Sequence, residues 1–196
     1  MQQEYLEKKS AIKSKLKSFK YLNEEQQFKE FLFCTLTPQS NAQKCWGAVL
    51  ELSKLPNPTL QEIKSILKSR TRFHNNKSKY ITYNLNNWKN VKKQLSNPNT
   101  IELRNWLAEN VYGYGLKEAG HFLRNIGKSN NQIAILDRHI LKNLKENNII
   151  KDTKIKSKKH YLELEQSFLN YSKSINIPID ELDLLFWSKE NGEIFK

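Results

Sequence analysis

The chain has 196 residues and a formal net charge of +13; 38% of its residues are hydrophobic and 27% are charged. This size and composition suit a soluble globular protein of one domain or two packed halves. No run of about 18 apolar residues is present, and Lys13, Lys15 and Lys17 interrupt any signal-peptide core, so a membrane partner is excluded and a cytoplasmic location is expected.

Apolar residues recur at helical spacing from the start of the chain, and no strand-like alternation persists. In the first hundred residues the pattern predicts helices over about 4–21 and 24–35, a third capped by Ser40 or Asn41, a fourth opened by the Thr59–Glu62 capping box, and a long fifth after a loop at 71–76. We therefore predict an all-α protein.

The second half continues in the same way. Asn99 or Thr100 opens a helix, and a tight turn leads to a second helix over about 117–126, with Gly127 as its C-cap. Later helices are predicted to start at Asp137, near Lys159 and after Pro178.

The turn at 111–115 reads Val-Tyr-Gly-Tyr-Gly and is followed by Lys117. Glycine allows positive φ and close backbone approach, and N–H groups at the start of the following helix suit a phosphate. The backbone N–H groups around Gly113 and Gly115 are therefore predicted to bind one phosphate, a contact that reads no base sequence. The helix dipole disfavours a cation where Lys117 lies, which favours a neutral, nucleophilic amine. These residues alone leave two roles open for Lys117: nucleophile or phosphate contact.

Basic residues are concentrated between Glu62 and Lys93, where nine of them accompany a single acid. Tyrosine and tryptophan alternate with these basic residues, which favours a nucleic-acid surface over a merely solvated lysine-rich face. The nine are Lys64, Lys68, Arg70, Arg72, Lys77, Lys79, Lys89, Lys92 and Lys93.

Metal and disulfide chemistry has little support in the sequence. Cys34 and Cys45 are too few for a disulfide framework or a four-thiolate iron–sulfur cluster, and are predicted to be reduced packing residues. No cluster has zinc-ligand spacing, and His121 and His139 are assigned to helix packing. We predict no cofactor and no metal-binding side chains.

Two motifs carry a family resemblance: Gly-Tyr-Gly-Leu-Lys-Glu-Ala-Gly-His-Phe-Leu-Arg-Asn-Ile-Gly at 113–127, and Ile-Leu-Asp-Arg-His-Ile at 135–140. They resemble the helix-hairpin-helix glycosylase superfamily and, more narrowly, the archaeal-type (type 2) 8-oxoguanine DNA glycosylases/lyases. Segments 36–42, 72–73 and 186–196 extend the similarity over nearly the whole chain. One departure is that the usual Leu-Pro-Gly-Val-Gly turn lacks its proline here.

The resemblance implies a single glycosylase unit over 1–196, built from two helical subdomains with the active-site cleft between them. The approximate subdomains are 35–125 and 1–34 plus 126–196, with the hairpin at about 100–127. It also implies a monomer whose partner is duplex DNA, associated with the nucleoid in a prokaryote. The hairpin of this superfamily can hold a monovalent cation through backbone carbonyls.

The implied reaction removes 8-oxoguanine and cleaves the resulting abasic site by β-elimination. Lys117 would attack the sugar and form a Schiff base, while Asp137, also a good helix N-cap, would help to activate the lysine and stabilise positive charge on the sugar. Because the damaged base must leave the duplex, the resemblance assigns a base pocket to Phe73, Trp187 and Lys196. It assigns DNA contacts to Gln39, Arg72, Gly113 and Gly115, with Gln39 filling the gap left by the base.

Two alternatives remain open at this point. A glycosylase for oxidised pyrimidines or mismatched bases belongs to the same superfamily, and the Phe-Lys ending argues against it. A hairpin module that binds DNA without chemistry is the other, and Lys117 together with Asp137 argues against it.

Overall fold

The computed structural model describes residues 1–196 except for the side chain of Asn191. The described residues form ten α-helices, which confirms the all-α class. The helices are α1 (Gln2–Phe19), α2 (Glu24–Leu36), α3 (Ala42–Leu52), α4 (Leu60–Lys68), α5 (His74–Gln94), α6 (Thr100–Asn110), α7 (Leu116–Asn125), α8 (Arg138–Glu146), α9 (Lys158–Ser174) and α10 (Ile179–Asn191).

Side-chain caps fix most of the helix starts. The predicted caps of α3, α4, α6 and α8 are confirmed, since Asn41, Thr59, Asn99 and Asp137 each accept a hydrogen bond from the first turn of the helix that follows. Thr59 and Glu62 form the reciprocal capping box. Each cap satisfies N–H groups that a helix leaves unpaired at its start.

The loop predicted at 71–76 is shorter than expected. α5 begins at His74, and the residue before it, Phe73, adopts a left-handed backbone conformation with φ of 57°. Left-handed backbone is rare for a large side chain. The chain therefore enters α5 through a conformation that the sequence does not predict.

The chain divides into two compact units at different points from those predicted. The middle unit is Leu22–Phe122, and the terminal unit is Met1–Tyr21 with Leu123–Lys196. The first boundary lies after Tyr21 and not after residue 34, because α2 packs against α3 and α5 and so belongs to the middle unit. The second boundary lies within α7, after Phe122 instead of after residue 125.

Each unit has its own hydrophobic core. In the middle unit, the buried Phe31 packs against Trp88, Tyr114 and Phe122 at ring-centroid distances of 5.3 to 5.6 Å. In the terminal unit, the Phe168 and Phe186 rings stack 5.8 Å apart. Buried aromatic side chains contribute large apolar areas to such cores. Within the described residues, no helix combines the length and apolar character needed to cross a membrane.

Candidate active site

The predicted hairpin is present in the middle unit, where α6 ends at Asn110 and α7 starts at Leu116. Two side chains hold the turn between them: the Tyr114 hydroxyl donates to the Phe31 carbonyl at 2.8 Å, and Asn84 Nδ2 donates to the Tyr112 carbonyl at 3.0 Å. Both contacts join the turn to helices distant in sequence. The turn is therefore a fixed platform for the start of α7.

Gly113 is the glycine that the turn requires. Its φ is +85°, and a Cβ placed on it would lie 2.6 Å from Cδ2 of Tyr80. Any other residue would suffer both backbone strain and a steric clash. α7 ends at Asn125, and Gly127, the predicted C-cap glycine, follows two residues later with φ of 69°.

Lys117 is the second residue of α7, and its side chain is 25% exposed. Its Nζ lies 2.9 Å from Oε1 of Glu118. The other oxygen, Glu118 Oε2, accepts a hydrogen bond from Gly115 N at 3.1 Å. Glu118 therefore stands at the capping position three residues after Gly115 and supplies the negative charge that the helix start favours beside the lysine.

Two of the N–H groups that were expected to bind a phosphate already have hydrogen-bond partners in the protein. The N–H of Gly115 donates to Glu118, and the N–H of Tyr114 donates to the Val111 carbonyl at 3.1 Å. A phosphate at this turn would use the N–H groups of the first turn of α7 or would displace Glu118. The start of a helix retains such groups because they have no partner within the helix.

Asp137 belongs to the terminal unit and is half-buried. Its Oδ1 accepts hydrogen bonds from His139 N and Ile140 N, each at 2.8 Å. One oxygen thus makes both capping contacts of α8, and Oδ2 makes neither of them. Capping and an electrostatic role toward a substrate are therefore compatible in one carboxylate.

A buried ion pair lies in the electrostatic neighbourhood of Asp137. The carboxylate of Asp183 is 3.3 Å from Nη2 of Arg124. Burial raises the pKa of Asp183 to about 7, Arg124 opposes that rise, and the charges of Asp137 and Asp180 add to it. Asp183 therefore senses the charge of Asp137 within the terminal unit.

Three of the predicted DNA and base contacts come together in the middle unit. Gln39 has φ of 54° and Phe73 has φ of 57°. The Phe73 ring is 53% exposed, and the Arg72 guanidinium lies 5.5 Å from its centroid. Arg72 N donates to Ser40 Oγ, next to Gln39, at 2.9 Å. Strained non-glycine backbone of this kind concentrates at functional sites.

The other two predicted pocket residues come together in the terminal unit. The rings of Trp187 and Phe195 stack 6.4 Å apart, and Lys196 Nζ lies 6.0 Å from the Phe195 centroid. Phe195 therefore links Lys196 to Trp187, as expected if apolar residues anchor this segment.

One family of known proteins matches most of the chain. The model of the 8-oxoguanine DNA glycosylase family matches residues 12–177, which is most of the chain and includes both Lys117 and Asp137. The chain belongs to this family.

Individual family members are similar over nearly their full length. The 8-oxoguanine DNA glycosylase/AP lyase of Fusobacterium nucleatum is 41% identical over 98% of this chain and 94% of its own. The protein of the same name from Methanocaldococcus jannaschii is 36% identical over 92% of this chain and 87% of its own.

Two solved structures have the same fold. The 8-oxoguanine DNA glycosylase of Thermotoga maritima is similar with a TM-score of 0.89 and 28% identity, covering 100% of this chain and 96% of that chain. The Methanocaldococcus jannaschii glycosylase/lyase in complex with 15mer DNA containing 8-oxoguanine gives 0.86 and 32%, covering 96% and 93%. The helix-hairpin-helix glycosylase fold is thereby confirmed for this chain.

Seven of the nine basic residues between Glu62 and Lys93 are exposed in this family member. The two exceptions are Arg70, which pairs with Glu51, and Lys77, which is buried. Assigning Lys77 to the basic surface was therefore wrong. Exposed tyrosines accompany this surface, since the rings of Tyr83 and Tyr112 lie 5.2 Å apart beside the hairpin turn. The seven exposed residues are Lys64, Lys68, Arg72, Lys79, Lys89, Lys92 and Lys93.

Two site residues, Glu118 and Lys77, were not predicted from the sequence. Glu118 follows Gly115 at capping-box spacing, and this signal was available in the sequence. The burial of Lys77 has no local signal, because most lysines are exposed.

The described residues bear on the predictions for the two cysteines and for metal-binding side chains. Cys34 and Cys45 are both buried, and they are not joined in a disulfide. Within the described part of the chain, no group of three or more His, Cys, Asp or Glu side chains could hold a metal ion. A cation held by backbone carbonyls at the hairpin involves other atoms and stays a prediction.

Proposed function

We propose that this chain excises 8-oxoguanine from duplex DNA and then cleaves the strand at the resulting abasic site. The observation that carries the proposal is Lys117, a lysine at the second position of the hairpin helix in a chain of the 8-oxoguanine DNA glycosylase family. The relatives named above bear both activities in their names. An amine at the start of a helix is a suitable nucleophile for a sugar carbon.

In the first step, the Lys117 amine forms a bond to C1′ of the damaged nucleotide, and the bond from C1′ to the base breaks. The electron pair leaves with the base, which takes up a proton. Opening of the sugar then gives an imine between Nζ and C1′. Loss of a proton from C2′ expels the 3′ oxygen with its phosphate, so that β-elimination cleaves the strand on the 3′ side.

Before the attack, Lys117 must leave its ion pair with Glu118 and lose a proton. Asp137 assists because its carboxylate favours positive charge developing on the sugar and helps to activate the amine. The Asp137 oxygen that makes no capping contact to α8 is suited to this role, because its use by a substrate would leave both capping hydrogen bonds intact.

The flipped base would be recognised by Phe73, Trp187 and Lys196. The exposed ring of Phe73 offers a stacking surface, and the stacked rings of Trp187 and Phe195 hold Lys196 at a defined position. Gln39, on its strained turn, would fill the space that the base vacates in the duplex.

The seven exposed basic residues of the middle unit would bind DNA phosphates. We expect the affinity for a duplex to fall by about 10³-fold or more between roughly 50 and 200 mM salt if six or more phosphates are contacted. Fluorescence anisotropy with the Lys117→Gln protein measures this without turnover. An affinity independent of salt would contradict the basic surface.

The first test is borohydride trapping on a duplex with one 8-oxoguanine, because borohydride reduces the imine to a stable amine. We expect a covalent protein–DNA product with the lesion duplex, none with an undamaged duplex, and none with Lys117→Gln. Free 8-oxoguanine is measured in the same samples.

Other results would point to different functions. Binding without trapping or base release would indicate a DNA-binding module. Base release by Lys117→Gln at the wild-type rate would remove this lysine from the mechanism. Trapping with oxidised pyrimidines but not with 8-oxoguanine would reassign the substrate. We also propose that one chain suffices, so sedimentation should show a monomer in the active preparation.

A further inference from the structure

Lys77 is a buried charged residue without a place in the reaction described above. It lies in the first turn of α5 and is only 4% exposed. Its Nζ donates three hydrogen bonds of 2.7 Å, to the carbonyls of Leu36 and Pro38 and to Ser40 Oγ. An ammonium group has three donors, so this site matches its full capacity. Burying a charge is costly unless it is satisfied in this way.

The three acceptors lie at the end of α2 and in the turn that joins α2 to α3, and that turn carries Gln39. The same Ser40 Oγ that accepts from Lys77 also accepts from Arg72 N at 2.9 Å. Lys77 and Ser40 therefore tie the Gln39 turn to Arg72, which directly precedes Phe73. The ammonium is the common anchor of two segments that are more than thirty residues apart in sequence.

The two segments both contain strained backbone. Gln39 and Phe73 have φ of 54° and 57°, in the left-handed region. Each such residue costs about 1–3 kcal/mol and persists only where its surroundings hold it. The hydrogen bonds of Lys77 and Ser40 join the turn that contains Gln39 to the segment that contains Phe73.

The charge state of Lys77 agrees with this role. Burial, together with the charges of Lys117 and Arg72, lowers the pKa of Lys77 to about 8, although Cys45 and Glu118 act in the opposite direction. Near neutral pH most of the amine is therefore still protonated and donates all three hydrogens. Loss of the proton at higher pH would leave it one donor short.

We propose that Lys77 is a positioning residue that sets the placement of Gln39 and Phe73 for the flipped base. The inference rests on the proposed function, and it predicts different effects on the two reactions of the enzyme. Base excision requires a nucleotide to be flipped and recognised, whereas cleavage of an abasic site has no base to recognise. Lys77 therefore acts chiefly on the first reaction.

The test compares Lys77→Met with Lys54→Met. Lys54 is an exposed lysine of the middle unit outside the basic surface, so its variant loses the same charge without losing a buried anchor. Single-turnover rates are measured on a duplex with 8-oxoguanine and on a duplex with a preformed abasic site. We expect Lys77→Met to slow excision by about 10²-fold, as small misplacements of recognition groups do, and to change abasic-site cleavage by less than about threefold. Lys54→Met should leave both rates within that same margin.

A second variant serves if Lys77→Met does not fold, as thermal denaturation would show. Ser40→Ala removes one acceptor and the link to Arg72 while keeping the other two contacts of Lys77. It should slow excision by a smaller factor and again spare cleavage of the abasic site.

Equal slowing of both reactions, or unchanged excision in both variants, would overturn the positioning role. Failure of the proposed function has a different signature, because the wild-type protein itself would then release no 8-oxoguanine.

Discussion

Helices α7 and α8 each present a proposed catalytic residue at their start, but with opposite charge. α8 has Asp137 as its N-cap, where a carboxylate accepts two helix hydrogen bonds and suits the helix dipole. α7 has Lys117 at its second position, where a cation is disfavoured. The chain meets this cost at α7 with Glu118, which pairs with the lysine and accepts from Gly115 N.

The two helix starts therefore differ in whether stability and activity depend on one side chain or on two. At α8 the same carboxylate serves the fold and the proposed chemistry, so its removal should harm both. At α7 two side chains have separate roles: Glu118 stabilises the helix start, and Lys117 serves the proposed chemistry. Substitutions at four positions test this division, beginning with the one of largest expected effect.

Lys117→Gln should abolish activity while leaving the fold intact. We expect strand cleavage to fall by about 10³-fold or more, as for other nucleophile replacements. The free energy of unfolding should change by less than about 1 kcal/mol, because losing a partly exposed ion pair is offset by removing a cation from a helix start. Cleavage assays and urea unfolding measure the two effects. A large loss of stability would show that Lys117 is also structural.

At Asp137 two substitutions distinguish the two roles. Asn retains a capping oxygen and Ala does not, so Asp137→Ala should be about 1 kcal/mol less stable than Asp137→Asn. Both should slow excision by about 10²- to 10³-fold, because both remove the negative charge. If Asp137→Asn excised 8-oxoguanine at nearly the wild-type rate, the role of Asp137 would be limited to capping α8.

Gly113→Ala should disturb the entry to α7. The left-handed backbone costs about 1–2 kcal/mol for a residue with a Cβ, and Tyr80 must also move from a Cβ only 2.6 Å away. The matched control is Gly47→Ala within α3, where a Cβ meets nothing within 4 Å. That substitution should stabilise the protein by about 0.5–1 kcal/mol, since alanine is the better helix former. Equal effects of the two would contradict a strained turn.

Glu118→Ala should lower the free energy of unfolding by about 1 kcal/mol, because the cap and the ion pair are lost. Glu62 occupies the equivalent position in α4 but is exposed, so Glu62→Ala should cost less. Hydrogen bonds from the Thr59 backbone and hydroxyl lower the pKa of Glu62. Its contribution is therefore present above about pH 4.3 and disappears as the pH falls through the lowered value. Urea unfolding at pH 7 and pH 3 checks both statements.

Much of the site was predictable because its elements are local. A cap joins residues two or three positions apart, so Thr59, Asn99 and Asp137 were identified as helix starts without knowledge of the fold. The glycine at 113 and the lysine at 117 were likewise specified by the turn and the helix that follows it. Glu118 was open to the same reasoning at its distance of three residues from Gly115.

Other features depend on contacts between distant segments. Lys77 was assigned to the basic surface with its neighbours, and only the fold places it against acceptors 37 to 41 residues earlier. The unit boundary after Tyr21 likewise depends on which helices α2 packs against.

The sequence by itself therefore determined the all-helical class and most of the helix starts, because hydrogen bonds within a few residues encode them. Lys117 and Asp137 became candidate catalytic residues through the resemblance of their motifs to a glycosylase family. The tertiary structure decided which of many similar lysines is buried, which residues adopt strained backbone and how Phe195 joins Lys196 to Trp187. The physical reason is that burial depends on side chains brought together from far apart in the chain, and residue type alone does not report it.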